Sequence, residues 1–388
     1  MSARADAKHI VLAAGGTGGH IFPAIAVAEE LLARGYRVSL VTDKRGKGFG
    51  DRLEDVALYR ISASGVGGGI AAKLRGAASI GIGILQARRL FARLKPACVV
   101  GFGGYPSVPT MVAATSRGLP TVIHEQNAIL GRANRLVAPK VDVIATSFPE
   151  TAGIAERDAG KAVLTGNPVR GSFGEVREHA YPPIGPNGEG VKLLVLGGSQ
   201  GARVLSDVVP AAIAGMPPAL RSRFSITQQC RPEDLDRVRA VYGGVGINAA
   251  LSDFFDDVPD RLAAAHIVVA RSGASTVAEL AETGRPAILV PYPHATDDHQ
   301  TANARAMETL GGAWPIPESG FTAESLTIKL ENFVNFPQKL IDAAEAMKRA
   351  GGLNAAAALA DRIAQLAGTA SGAGAPVSPD GVAREMAA

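Results

Sequence analysis

Ile10-Val11-Leu12-Ala13-Ala14-Gly15-Gly16-Thr17-Gly18-Gly19 lies near the start of the chain, and Leu193-Leu194-Val195-Leu196-Gly197-Gly198-Ser199-Gln200-Gly201 repeats its pattern in the second half. Each is an apolar run, a glycine pair, a hydroxyl or amide residue and a further glycine, followed by a segment of helical period. Strand, tight turn and helix form the unit of a doubly wound α/β sheet. Such turns also recur independently, so the repeat alone does not establish duplication.

Working outward, Pro23 to Arg34 carries Ile25, Ala28 and Leu32 on one face and stops at Gly35, which predicts a helix preceded by a loop from Gly15 to His20. Short apolar runs predict strands at Ile10 to Ala14, Arg37 to Val41, Ala97 to Gly101, Thr121 to His124 and Val141 to Thr146. A break follows at Gly166-Asn167-Pro168-Val169-Arg170 and the irregular stretch from Tyr181 to Gly188. The pattern then restarts, with strands at Lys192 to Leu196, Phe224 to Gln228, His266 to Ala270 and Ala287 to Pro291. Helices are expected at Val204 to Ala214, Thr276 to Thr283, Gln300 to Leu310 and, near the end, Leu340 to Leu366. The expected division is an N-terminal domain over residues 1–165, a linker over 166–190 and a C-terminal domain over 191–350. A helix over 351–368 returns to the N-terminal domain, and 369–388 form a disordered tail.

The 388 residues suit two domains, and 46 glycines without a Gly-X-Y period fit many strand-to-helix turns. Cys98 and Cys230 have no Cys-x-x-Cys partner, which argues against a disulfide framework or structural zinc. With 40 basic against 36 acidic residues, the net charge of +4 does not announce a nucleic-acid binder. No secretory signal follows Met1 to His9 and no run reaches the roughly 20 apolar residues of a spanning helix, so the expectation is a protein that is soluble or lies on a membrane.

A glycine turn opening a helix aims backbone N–H groups outward at the positive end of the helix dipole, which makes an anion site. The chain lacks Gly-x-x-x-x-Gly-Lys-Ser/Thr, and its first turn is not Gly-x-Gly-x-x-Gly, so P-loop and dinucleotide chemistry lose support. Two anion sites facing across a cleft suit two phosphate-bearing substrates or two ends of one. Arg170 is either a solvated linker arginine or a phosphate ligand. Glu279 either caps a helix dipole or accepts from ribose hydroxyls. His20, behind the first turn, is either a local helix-start hydrogen bonder or a neutral imidazole fit for general-base work. His124 and Glu125 leave a strand end where α/β sheets place ligands. The one Asp-x-Asp, Asp234-Leu235-Asp236, reads as a solvated helix face, so no metal is required. Between Gly65 and Lys95, Ile70, Leu74, Ile80, Ile82, Ile84 and Leu85 interleave with Lys73, Arg75, Arg88, Arg89 and Arg93. That is either an ordinary amphipathic helix or an apolar-basic face lying on an anionic membrane.

Gly15-Gly16-Thr17-Gly18-Gly19-His20-Ile21-Phe22-Pro23, Gly101-Phe102-Gly103-Gly104-Tyr105-Pro106-Ser107, His124-Glu125-Gln126-Asn127, Gly166-Asn167-Pro168-Val169-Arg170, Gly197-Gly198-Ser199-Gln200-Gly201-Ala202-Arg203 and Arg271-Ser272-Gly273-Ala274 together closely resemble the MurG family. These are bacterial glycosyltransferases that move N-acetylglucosamine from UDP-N-acetylglucosamine (UDP-GlcNAc) to lipid I, giving lipid II for peptidoglycan. The resemblance, in order from about Lys8 to Gln365, implies a GT-B fold of two Rossmann-like domains across a cleft. It implies that Arg170 and Ser199 hold the donor diphosphate, that Phe255 faces the uracil through its backbone and that Glu279 holds the ribose. Ser272, Gly273, Ala274, Ser275, Thr276, His299 and Gln300 complete the donor site, and Thr17, Gly18, Gly19 and Asn127 close over the sugar. Gly15, Gly16, Gly103, Gly104 and Tyr105 would take the acceptor diphosphate. His299-Gln300 departs from the two glutamines of some members, and Gln228-Gln229-Cys230 matches no familiar motif.

The implied chemistry is one inverting displacement by the acceptor 4-hydroxyl, with His20 as base and Glu125 as the runner-up. No cofactor is required. The implied partners are UDP-GlcNAc, lipid I (undecaprenyl-diphosphate-linked MurNAc-pentapeptide), an anionic membrane surface at Lys73, Leu74, Arg75, Ile80, Ile82, Leu85, Arg88 and Arg89, and other wall-synthesis proteins, with no nucleic acid. The implied location is peripheral, on the cytoplasmic face of the inner membrane. Competing readings are another GT-B enzyme using UDP-GlcNAc, such as a 2-epimerase or a transferase with a soluble acceptor, and a non-catalytic nucleotide-sugar-binding scaffold.

Overall fold

A computed structural model of the chain describes residues 7–15, 18–43, 56–63, 69–185, 190–198 and 201–369, with residues 70–72, 74 and 369 described by their backbone alone. Gly16, Thr17, Ser199 and the expected tail beyond Thr369 lie outside the described residues.

The first domain comprises β1 (His9–Ala13), α1 (Gly18–Ala33), β2 (Arg37–Thr42), β3 (Ala57–Arg60), α2 (Ile70–Leu94), β4 (Cys98–Gly101), α3 (Ser107–Thr115), β5 (Thr121–Glu125), α4 (Arg132–Val137), β6 (Val143–Thr146) and β7 (Ala162–Leu164). Its strands pair in parallel in the order β3-β2-β1-β4-β5-β6-β7. β1, β4 and β5 are buried on both faces because helices cover the sheet on each side.

The second domain begins with α5 (Gly171–Arg177), followed by β8 (Val191–Leu196), α6 (Arg203–Gly215), α7 (Pro218–Arg221), β9 (Phe224–Gln229), α8 (Leu235–Gly244), β10 (Ala250–Ser252), α9 (Val258–Ala264), β11 (Ile267–Ala270), α10 (Ala274–Thr283), β12 (Ala287–Leu289), α11 (His299–Thr309), β13 (Ala313–Pro315), α12 (Ala323–Asn335) and α13 (Gln338–Ala350). Its parallel sheet runs β10-β9-β8-β11-β12-β13. In both sheets the order reverses beside the strand that precedes the glycine turn, β1 in one and β8 in the other. That crevice is where open α/β sheets bind ligands.

Three expectations change. The helix expected from Pro23 starts at Gly18, so His20 is helical and Pro23 sits inside α1. Proline lacks the N–H that would bond the Gly19 carbonyl, a loss tolerable this close to a helix start. The long helix expected from Leu340 to Leu366 is broken at Gly351-Gly352-Leu353-Asn354, where Gly352 (φ 79°) and Asn354 (φ 41°) are left-handed. The chain crosses back there, and α14 (Ala355–Thr369) places Leu359, Ala360 and Ile363 in the core of the first domain. Most of the expected linker is built into the second domain. Phe173 of α5 packs with Leu194, Val268 and Leu280, and the Tyr181 hydroxyl donates to the His266 carbonyl at 2.6 Å. The crossing itself is Gly166-Asn167-Pro168.

Candidate active site

His20 stands in the first turn of α1, where backbone N–H groups have no acceptor within the helix. Its imidazole fills the hollow of the loop after β4. A Cβ on Gly103 would lie 3.0 Å from His20 Cδ2 and 3.1 Å from its Nε2, and Gly103 (φ 87°) and Gly104 (φ 76°) are left-handed. Only glycine meets both demands. Burial, and His299 facing it from the other domain, push the His20 pKa down to about 4. The ring is neutral at pH 7. Gly18 and Gly19 open the same helix, with open space in front of Gly19. The Gly15 N–H is already spent on the Gly103 carbonyl at 3.1 Å, so Gly15 closes the turn and does not donate to an anion there. Tyr105 is half exposed at the loop's end.

The Glu125 carboxylate is occupied. Oε1 accepts from the backbone N–H and side-chain amide of Asn127, each at 3.1 Å, and Oε2 accepts from the Gly131 N–H at 2.8 Å and Asn134 Nδ2 at 2.9 Å. It is buried and caps the start of α4. A base needs an open lone pair on the reacting proton, and this carboxylate instead fixes the loop that carries Asn127. His124 is likewise a buried strut: Nε2 donates to the Gly166 carbonyl at 2.9 Å, and burial pushes its pKa down to about 4.

At the junction of the domains, Arg170 caps the start of α5, with its guanidinium 5.4 Å from the Phe22 ring of α1 and 5.1 Å from that of Phe173. Its Nε is buried without a partner, as are Ser275 Oγ at the start of α10 and Asn167 Oδ1, whose Nδ2 donates to the Ala274 carbonyl at 3.2 Å. Orphaned buried polar atoms in one place call for a polar ligand. Gly273 is the N-cap of α10 and Thr276 lies in its first turn, so Gly273 to Thr276 form a helix-start anion site. Glu279 lies one turn on. Burial raises its pKa to about 7 despite the Arg170 charge.

Ser272 is fully buried and spends its hydroxyl on the Gln300 carbonyl at 2.8 Å, fixing α10 to α11. Gln300 Oε1 accepts from the Tyr292 N–H at 3.0 Å. His299 Nδ1 donates to the Thr296 carbonyl at 2.7 Å. Phe255 is buried under Arg261, whose Cζ lies 4.0 Å from the ring centroid.

Residues 10–146 match the family model for the glycosyltransferase family 28 N-terminal domain, and residues 192–363 match that family's C-terminal domain. The chain belongs to glycosyltransferase family 28. Among curated members it is 55% identical over 94% of its length, and 98% of theirs, to the UDP-N-acetylglucosamine--N-acetylmuramyl-(pentapeptide) pyrophosphoryl-undecaprenol N-acetylglucosamine transferase of Paramagnetospirillum magneticum. It is 53% identical to the protein of that name from Rhodospirillum centenum, over 95% of this chain and 97% of the other. The crystal structure of MurG from Acinetobacter baumannii superposes with a TM-score of 0.75 at 29% identity, covering 92% of this chain and 99% of that one. A UDP-GlcNAc 2-epimerase from Neisseria meningitidis shares the fold, with a TM-score of 0.64 at 13% identity over 92% of this chain and all of that one. The two-domain GT-B architecture of the family is the architecture seen here.

The structure adds residues that motif reading passed over. Asn303 of α11 is fully buried: Nδ2 donates to Asn127 Oδ1 at 3.1 Å and to the Ser272 carbonyl at 3.0 Å, while Oδ1 accepts from the Ala128 N–H at 2.8 Å. It ties the Glu125-Asn127 loop of one domain to α10 of the other. The only available signal was helical spacing, three residues after Gln300. Asp234 is bound by Arg231 at 2.9 Å and Arg237 at 2.8 Å, while the Asp236 side chain is fully exposed and paired with Arg239. The two aspartates do not converge.

The apolar-basic residues lie on α2, which packs against α3, the helix that follows the Gly103-Gly104 loop. On α2, Ala87, Leu90 and Phe91 enter the core, while Ile82 and Leu85 stay 52% and 58% exposed among exposed Lys73, Arg75, Arg88 and Arg89. Ile80 is half-buried, and the Leu74 side chain lies outside what is described. Among the described residues no helix is long and apolar enough to cross a membrane.

Proposed function

We propose that this chain transfers N-acetylglucosamine from UDP-GlcNAc to the 4-hydroxyl of the MurNAc moiety of lipid I, with inversion, giving lipid II for peptidoglycan synthesis. The observation that carries the reading is the end-to-end match, at more than half identity, to a curated transferase named for that donor and acceptor. The 2-epimerases share the fold alone.

The donor binds the second domain. Arg170 and the start of α10 neutralise the diphosphate, so UDP leaves as a weak base and no general acid is needed. Glu279 accepts from the ribose hydroxyls, and Gln300 and His299 face the sugar. His20 takes the proton from the attacking hydroxyl. A buried imidazole with a pKa near 4 is a weak base, but the negative charge of a bound diphosphate raises its proton affinity as the substrates assemble. Arg170 and the start of α10 are the positive groups this scheme uses, and it calls for no metal.

The acceptor is tethered to a lipid, and the exposed Ile82 and Leu85 with their basic neighbours on α2 supply the means of lying on an anionic leaflet. The protein then works as a peripheral protein on the cytoplasmic face of the inner membrane.

Radiolabelled UDP-GlcNAc with a lipid I analogue separates the readings. Label moving to the lipid supports the transferase. Free sugar inverted at C2 supports an epimerase, and binding without turnover supports a scaffold.

A further inference from the structure

The two glycine turns are closed by the same device. In each, the N–H of the first glycine is spent on a group outside the turn: Gly15 on the Gly103 carbonyl, and Gly197 on the side-chain oxygen of Gln229, both at 3.1 Å. The second bond therefore hangs on one replaceable side chain. Gln229 is the last residue of β9, which lies between β8 and β10 in the sheet. Its Oε1 accepts from Gly197, which follows β8, and its Nε2 donates at 3.1 Å to the carbonyl of Asp253, which follows β10. One planar amide thus spans three adjacent strand ends.

Both partners are otherwise tightly set. A Cβ on Gly197 would lie 2.6 Å from the Ala202 nitrogen, so this turn has no slack. Beside Asp253, the Ser252 hydroxyl donates to the Phe254 carbonyl at 2.6 Å and accepts from the Phe254 N–H at 3.3 Å. Phe255 is then pinned beneath Arg261, which Asp257 holds at 2.7 Å. Between these clamps the loop presents Phe254, 65% exposed, and a backbone edge next to the glycine turn. An aromatic face beside backbone donors and acceptors suits a planar nucleobase.

We propose that Gln229 is a positioning residue that ties Gly197 to the loop after β10, keeping that loop's backbone edge in register with the hydrogen-bonding edge of the base, where uracil and cytosine differ. The inference rests on the donor reading above. The position needs one acceptor and one donor in one plane, which glutamine supplies. A glutamate keeps the bond from Gly197 but sets a carboxylate against the Asp253 carbonyl, and a leucine of similar size keeps neither bond.

The test uses the full chain and the variants Gln229→Glu and Gln229→Leu, measuring dissociation constants for UDP and CDP, kcat and KM for UDP-GlcNAc, and thermal stability. The expected result is that the preference for UDP over CDP falls about tenfold in both variants. KM for UDP-GlcNAc should rise by a similar factor, more in Gln229→Leu than in Gln229→Glu, with kcat within about threefold of wild type. Unchanged UDP-to-CDP selectivity in both variants overturns the assignment, whether or not stability falls. A wild-type chain that fails to prefer UDP removes the donor reading itself, a failure visible before any variant is made.

Discussion

Arg132 and Asp297 meet across the cleft: Arg132 Nε lies 3.1 Å from both carboxylate oxygens and Nη2 lies 2.6 Å from Oδ1. The pair joins the start of α4 to the loop before α11, and Asp297 (φ 54°) and Asp298 (φ 52°) both hold the left-handed backbone that brings the carboxylate there. Together with the buried Asn303 hub it fastens the domains in the arrangement seen. An exposed arginine contributes little to folding stability, so its effect lies in domain closure. Arg132→Ala should leave the melting temperature almost unchanged, raise the donor KM several-fold and increase the radius of gyration seen by small-angle scattering. The carboxyl is held below its usual range by Arg132, so the bond is complete above that range and lost only in strong acid. Closure should therefore not vary between pH 6 and 8.

Glu279 should titrate near neutrality. Its folded-state value, about 7, lies above the unfolded 4.5, so the folded protein binds the extra proton between those values. Stability then falls as pH rises through that window, by up to about 3 kcal/mol, and the loss is complete above pH 7. Glu279→Gln should flatten this slope in urea unfolding at pH 5.5 and 8 while weakening UDP affinity. A slope as steep as wild type's in the variant counts against the assignment.

His20→Ala should lower kcat by about 10²–10⁴-fold, the usual range for a general base. With the ring held near 4, any acid limb that His20 imposes on kcat/KM of the free enzyme belongs near pH 4 and not near 6.5. The folding linkage has the opposite sign to that of Glu279: His20 and His124 are held neutral, so stability rises with pH from about 4 to 6.5.

Glu125→Ala should be a stability variant first. It strips a buried carboxylate from Gly131, Asn134 and Asn127, at a cost of about 3 kcal/mol. Activity should fall together with the melting temperature. A variant of wild-type stability with no turnover would return Glu125 to direct chemistry.

Changing Ile82 and Leu85 to Ser should reduce binding to vesicles containing anionic phospholipid and leave transfer to a water-soluble acceptor analogue intact. Sedimentation of both proteins with such vesicles, at low and high salt, measures it.

Strands were legible because runs such as Ile10 to Ala14 are apolar on both faces, and the turns were legible because glycine is needed where backbone meets backbone or ring. Pro23 misled because it usually opens a helix, whereas here the open helix start lies five residues earlier. Glu125 looked chemical because a carboxylate at a strand end in a polar stretch often is. Only the geometry of Gly131 and Asn134 reveals that its lone pairs are taken. Asn303 carried only its helical spacing from Gln300, and Gln229 lay in no familiar motif, since the meaning of each lies in partners from another domain or other strand ends. No local pattern encodes that.

The central claim is that the cleft joins donor sugar to lipid-linked acceptor in one inverting step. Following UDP release and the lipid product in the same reaction, with the new linkage read by NMR, tests it most directly. The account predicts one β-1,4-linked N-acetylglucosamine on the lipid for each UDP released, and no UDP release without lipid I. UDP released without glycosylated lipid, or an α-linked product, would contradict it.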